Sequence, residues 1–346
     1  MTGVVITRLL VNGLCAFTGA LVVVLAAGWL FRVRAPRWRL ALLALPLLRV
    51  AWEWGRGGPT HSYVWHAQQG HLWDRGDLVI SAGLTWPLSP VLRLQSQAHL
   101  ASGRWSLTAG DVVALVLERT TPGLATILVA IVAAIGVTLV GGRLVSAWRF
   151  DRQRRLAARE AQVLEQRRIG WRWVQVYLDE SGAGEPFTGG WLQPYVCFPA
   201  AAHARLDDEG RRAVLEHELA HVRGYHVPLL MGLGLVADLL WFVPGCRWLV
   251  RKIEGELELV ADDASLARGA DALRLADAMV TLAEQRVASG SATAHLRSPS
   301  QVARRVRRLV ACPHPATATG LWYWLPRLIG LLAIARSAFA ISLGSH

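Results

Sequence analysis

A chain of 346 residues that is 53% hydrophobic and only 18% charged, with positive mean hydropathy, is too apolar for an ordinary soluble enzyme. Its formal charge of +12 comes almost wholly from arginine, with Lys252 the sole lysine. No nucleic-acid motif accompanies that charge, so direct nucleic-acid binding is not expected, and arginine retained on the cytoplasmic side of a membrane is the simpler reading.

In chain order, residues 4–31 predict a first membrane span, nearly free of charge apart from Arg8 and followed by Arg32, Arg34, Arg37 and Arg39. A weaker span at 40–54 carries Arg49 and Glu53 at i,i+4, which either pair within the bundle or snorkel outward. Together they make an N-terminal transmembrane hairpin over 1–54. A third span at 123–147 precedes Arg149, Arg152, Arg154, Arg155 and Arg159. Both arginine clusters fall on the cytoplasmic side if the N-terminus is outside, which leaves 55–122 as an extracytoplasmic loop. In that loop Trp65, Trp73, Trp86 and Trp105 read as interfacial anchors, and 78–94, broken by Pro87 and Pro90, as a surface-lying or re-entrant piece. His61, His66, His71 and His99 there have no ligand spacing. The four cysteines, Cys15, Cys197, Cys246 and Cys312, are far apart and read as small hydrophobes, not as a disulfide frame.

The segment from 148 to 310 reads as a cytoplasmic-side domain. It begins with a basic helix over 151–168. Short strands follow at Val174–Leu178, which alternates apolar and polar residues, and at Tyr195–Phe198, stopped by Pro199. The sheet they predict either offers an edge to an extended substrate or only supports the helix behind it. That helix starts near Asp207 or Asp208, where acidic residues suit the dipole, and has an apolar face of Leu206, Ala213, Leu215, Leu219 and Val222. An amphipathic helix is expected over 271–288, a break at 289–292, a helix closed by Arg304, Arg305, Arg307 and Arg308 as a cytoplasmic or headgroup-facing cluster, and a last apolar span at 320–343 interrupted by Arg327 and Arg336.

The chemistry concentrates in His217-Glu218-Leu219-Ala220-His221. Histidines four apart share a helical face, so both imidazoles can reach one zinc ion. The glutamate between them lies where an open coordination position needs a general base. A third ligand is required, and Glu258 is the best candidate, with Glu254 its competitor on the same helix. Asp262, at i,i+4 from Glu258, can accept a hydrogen bond from the outer nitrogen of a ligating histidine. Glu254, Glu256 and Asp263 otherwise read as solvated helix charge. His226 reads as a support for the ligands or, equally, as a helix-end histidine. The bland alternative is a helix carrying two structural histidines. Residues 227–250 are apolar and long enough to span, yet lie between His221 and Glu258. One crossing would separate the ligands across the bilayer, so a membrane-embedded hairpin broken at Val243-Pro244-Gly245 is expected.

These residues, with Pro186–Gly189, Gly190–Pro199, Trp241–Pro244 and Glu258–Asp262, resemble the BlaR1/MecR1-type membrane metallopeptidases of peptidase family M56, and more distantly the HtpX/Ste24 type. The resemblance implies Zn2+ bound by His217, His221 and Glu258, with Glu218 as catalytic base. It also implies a protein substrate such as a transcriptional repressor, cut in signal transduction. Position 226 departs from the family, where Asp is frequent, and no sensor segment is expected after the last span. The fold expected is a mainly α membrane protein, a multi-span helical bundle with an inserted small α+β gluzincin-like zinc peptidase domain. It would be multi-pass in the inner or plasma membrane, with the lipid bilayer as partner and the oligomeric state open. Competing readings are an intramembrane protease, against which the charged flank Asp207–Arg212 argues, and a non-catalytic signalling or scaffold protein with a structural zinc site.

Overall fold

The computed structural model of the chain describes residues 2–33, 35–55, 64–66, 77–80, 85–87, 106–108, 113, 123–180, 184–288, 299–311 and 330. The described chain is mostly helical with two small sheets, and it divides into two compact units. The span expected at 320–343 and most of the loop expected at 55–122, with His61, His71, His99, Trp73 and Trp105, lie outside the described residues.

The first unit contains α1 (Thr2–Leu30) and α2 (Pro36–Gly55). They lie antiparallel: Trp54, at the end of α2, donates its Nε1–H to Leu9 O at 3.0 Å near the start of α1. Gly13 permits that approach, since a Cβ there would sit 2.6 Å from the indole nitrogen. Phe17, Ala20 and Val24 are buried in this unit, as are Leu42, Leu45 and Val50. Arg49 is only 1% exposed, so its side chain is held inside the protein. In the same unit β1 (Val64–His66), β2 (Asp77–Ile80), β3 (Thr85–Pro87) and β4 (Ser106–Thr108) form an antiparallel sheet in the order β3-β2-β1-β4. The 78–94 segment, expected as a surface-lying or re-entrant piece, contributes strand pairs where it is described.

The long helix α3 (Leu124–Glu160) runs unbroken through the apolar stretch and into the arginine cluster. Two helical stretches, Leu9–Leu30 and Leu124–Ala158, are long and apolar enough to cross a membrane. α2 is not among them.

In the second unit α3 is followed by β5 (Gln162–Ile169), β6 (Arg172–Asp179), β7 (Phe187–Gly189) and β8 (Tyr195–Pro199), paired in the order β5-β6-β8-β7. β6 and β8 are parallel, whereas β5 and β7 run antiparallel to their neighbours. The basic helix expected over 151–168 is thus corrected: it ends at Glu160, and 162–169 is a strand. Its Arg, Glu and Gln residues favour helix locally, but β6 supplies a ladder of backbone partners, broken only where the register shifts between Val163 and Glu165.

Four helices follow the short α4 (Ala200–Arg205): α5 (Asp208–Arg223), α6 (His226–Leu239), α7 (Cys246–Leu266) and α8 (Ala272–Ala288). After them comes α9 (Pro299–Ala311). The apolar 227–250 stretch contains two helices, α6 and the start of α7, with Gly245 at φ +85° in the break between them. Asp238 of α6 is 4% exposed and is gripped by Arg143 of α3, whose Nε lies 2.5 Å from Oδ2. Arg247 of α7 stands 3.4 Å from its other oxygen.

Candidate metal centre

α5 carries the motif and is fixed along its whole length. Its N-cap is Asp207, whose Oδ1 accepts the Gly210 N–H at 2.7 Å. Leu219 and Val222 bury against Val174, Val176 and Val196 of the sheet. Ala213 and Val214 bury with Leu275, Leu282 and Leu309 from α8 and α9. At the C-terminus Arg172 of β6 donates from Nη2 to Val222 O at 2.7 Å, and its guanidinium lies 4.0 Å from the centre of the Tyr225 ring.

This packing holds His217 and His221 buried, with their Nε2 atoms 3.2 Å apart. Glu258 of α7 reaches both: its Oε2 lies 3.7 Å from His217 Nε2 and its Oε1 3.7 Å from His221 Nε2. One ligand atom from each of the three residues falls within 4.8 Å of the other two. Two ligand atoms about 2.0–2.1 Å from a tetrahedral metal stand roughly 3.3 Å apart, so the separations fit a single divalent ion of the zinc type. Glu254, one turn earlier, is exposed and does not join the cluster.

The histidines are oriented from behind. Asp262 Oδ1 lies 3.1 Å from His217 Nδ1, and His226 Nδ1 lies 2.9 Å from His221 Nδ1. His226 is brought there by a left-handed residue, Tyr225 at φ +53°, which turns the chain between α5 and α6. Gly224 leaves room for its ring, since a Cβ at 224 would lie 2.3 Å from His226 Nε2. Burial lowers the pKa of His226, favouring the neutral ring.

Glu218, between the two histidines, is 3% exposed. The Thr188 hydroxyl, on β7, lies 2.8 Å from both Glu218 O and Glu218 Oε2 and shares its hydrogen between them. Sequence reasoning gave Thr188 no role of its own: its signal was the Pro186–Gly189 run that shares in the family resemblance, and spacing alone does not tie a three-residue edge strand to the motif.

Arg305 is the larger omission. Expected in a cytoplasmic or headgroup-facing cluster, it is 6% exposed and reaches into the centre from α9. Nε and Nη2 grip the two oxygens of Asp262 at 3.0 and 2.7 Å, while Nη1 donates to Glu258 Oε2 at 2.7 Å. Nη2 also stands 3.1 Å from His217 Nε2. Burial opposes ionisation of Asp262, but Arg305 and the His217 hydrogen bond outweigh it and hold the carboxyl well below its ordinary range. The neighbouring arginines are also drawn inward. Arg304 donates to Glu256 at 3.0 Å, and Arg308 donates to Asp263 at 2.5 Å. Hence Glu256, expected in solvent, is 1% exposed, and Asp263 is ion-paired. An amphipathic α9 laid against acidic α7 satisfies these charges better than a headgroup surface would.

The donor set of two imidazoles and a carboxylate, with a further buried carboxylate placed beside them, is suited to metal-assisted hydrolysis. No curated protein matches the chain. The family described as BlaR1 peptidase M56, a family of metallopeptidases, matches residues 88–309, nearly two thirds of the chain, and the chain belongs to it.

Proposed function

We propose that the chain is a membrane-bound zinc metalloendopeptidase of gluzincin-like type that cleaves a protein at the cytoplasmic face. The observation that carries this reading is the convergence of His217, His221 and Glu258 beside the buried carboxylate of Glu218. His217, His221 and Glu258 would hold the ion, with Asp262 and His226 fixing the imidazole tautomers. Bound zinc would supply Lewis acidity, polarising a carbonyl and lowering the pKa of water to about 7. Glu218 takes a proton from the attacking water and returns it to the leaving amine, with Thr188 holding its Oε2 in place. β7 is the outer strand of its sheet among the described residues and lies beside Glu218, so an extended substrate can add to it by backbone hydrogen bonding.

The membrane assignment rests on α1 and α3, which have the length and apolarity of spans, and on the arginines that follow each. In this arrangement α1, α2 and α3 belong to a multi-span bundle, and 227–250 is a hairpin entering the bilayer from the side that carries the centre. Asp207, Asp208 and Glu209 at the exposed start of α5 keep that helix out of the hydrocarbon and disfavour cleavage within the membrane. The family's character makes a transcriptional regulator the expected substrate class.

The test is Glu218→Gln in cells, read by quantitative proteomics together with metal analysis of the purified protein. Loss of one cleaved protein, with zinc content and folding intact, supports the peptidase. An unchanged proteome beside intact zinc binding would favour the scaffold reading.

A further inference from the structure

We infer that the cleft between α7 and α9 binds an acidic side chain of the substrate, so that the enzyme selects for a carboxylate near the bond it cuts; this rests on the peptidase reading above. The cleft encloses about 460 Å³ and is lined by Arg251, Lys252, Glu258, Arg304, Arg305 and Arg307. That volume lies within the range of small-ligand sites. Residues 248, 251, 252, 255, 258 and 259 recur at helical spacing, so one face of α7 forms one wall, and the first turns of α9 form the other.

Among the described residues the charge on these walls is one-sided, with five cations against the carboxylate of Glu258. Two of the cations are engaged: Arg304 holds Glu256, and Arg305 holds Asp262 and Glu258. Among the described residues no carboxylate lies within ion-pair distance of Arg251, Lys252 or Arg307. Lys252 instead leans over Trp248, with Nζ 5.5 Å from the ring centre, and Arg307 bonds its own helix at Ala303 O. A concave wall of one sign focuses its potential and draws in the opposite charge.

Position separates this cleft from an ordinary solvated basic face. Its inner wall is Glu258 and Arg305, two members of the metal centre. A peptide whose scissile carbonyl lies at His217, His221 and Glu258 therefore passes a neighbouring side chain into the cleft. An anionic lipid headgroup shares the charge but gains nothing from a wall shared with the metal ligand, so the peptide carboxylate is favoured.

The test uses the full zinc-loaded chain in phosphatidylcholine nanodiscs, digesting a random peptide library whose cut sites are read by mass spectrometry. Asp and Glu should be enriched about tenfold over Asn and Gln at one position flanking the cut, the effect of one charge-assisted contact. Lys252→Glu combined with Arg307→Glu should invert that preference toward Lys and Arg while zinc content stays unchanged. In parallel, a fluorescein-labelled hexaglutamate peptide should bind zinc-loaded Glu218→Gln about tenfold more tightly than hexaglutamine does, and lose that margin on charge reversal. Cleavage without acidic enrichment, or enrichment untouched by the reversal, overturns the inference and leaves the peptidase standing. If the reversal alters only the dependence of activity on added phosphatidylglycerol, the cleft belongs to lipid and the inference falls. No cleavage at all, with hexaglutamate bound no better than hexaglutamine, removes both.

Discussion

Two arginine-rich helix segments, the end of α3 and the whole of α9, have similar composition and opposite fates. On α3, Arg152 is exposed over Trp148, at 5.6 Å from the ring centre, and Arg155 reaches Asp151 one turn back at 2.7 Å. Arg155 also donates to Gln193 Oε1 at 2.8 Å, but among the described residues of this segment Arg154 is the one whose ion pair reaches another element, Asp179 of β6 at 2.5 Å, stacking on Phe150 and Phe187 as it does so. On α9, Arg304, Arg305 and Arg308 all reach carboxylates of α7. The difference lies in the facing element. α7 presents Glu256, Glu258, Asp262 and Asp263, whereas the cations of α3 follow a stretch of apolar side chains. A run of arginines is thus interpretable only with its partner helix in view.

The sharpest way to break this comparison is Arg305→Ala. It strips the cation from Asp262, which is fully buried, and from Glu258, and should cost about 3–5 kcal/mol in denaturant unfolding. Zinc affinity, read by competition with a chelator, should fall about 10–100-fold because the ligands lose their orientation. Arg305→Lys should recover little, since an ammonium cannot span Asp262 and Glu258 with a planar fork.

The same pair makes a pH prediction. Because the folded pKa of Asp262 is depressed, its contribution to stability is complete above the ordinary carboxylate pKa of about 3.9 and is lost as pH falls toward the folded value. The stability difference between the native chain and Asp262→Asn should therefore persist down to about pH 5, growing where the raised pKa of His217 lets its ring gain a proton, and shrink only in stronger acid. A difference that vanished between about pH 7 and 5 would remove the Asp262 charge as its source.

Arg154→Ala, removing a partly exposed cation from the 5%-exposed Asp179 side chain, should cost about 1–3 kcal/mol. Arg152→Ala should change stability by less than about 0.5 kcal/mol, as a surface substitution. If these two variants proved equal in thermal or denaturant unfolding, the distinction drawn along α3 would fail.

The motif helix was legible because its chemistry and its period coincide: His217 and His221 at i,i+4, and Glu258 and Asp262 at i,i+4, are statements about one helix face each. β6 and β8 were legible from alternation and from Pro199. What could not be read was partnership. The Arg/Glu/Gln sequence of 162–169 is helical by local preference, and only β6 makes it a strand. Arg305 stands more than forty residues past Asp262, in a helix whose neighbours give it no periodic signature, so its place beside His217 follows from the packing of α9 alone. Glu256 was misplaced for the same reason, since the cation that allows its burial is Arg304.

The position of the apolar break between α6 and α7 has a mechanical consequence. His221 precedes this hairpin and Glu258 follows it, so any bridge between the two side chains staples shut a loop of about forty residues. Closing such a loop removes entropy from the opened chain, and the hairpin cannot slide or splay without first unfastening the bridge. Chelation should therefore loosen α6 and α7 together, and faster amide exchange confined to those two helices would be its signature.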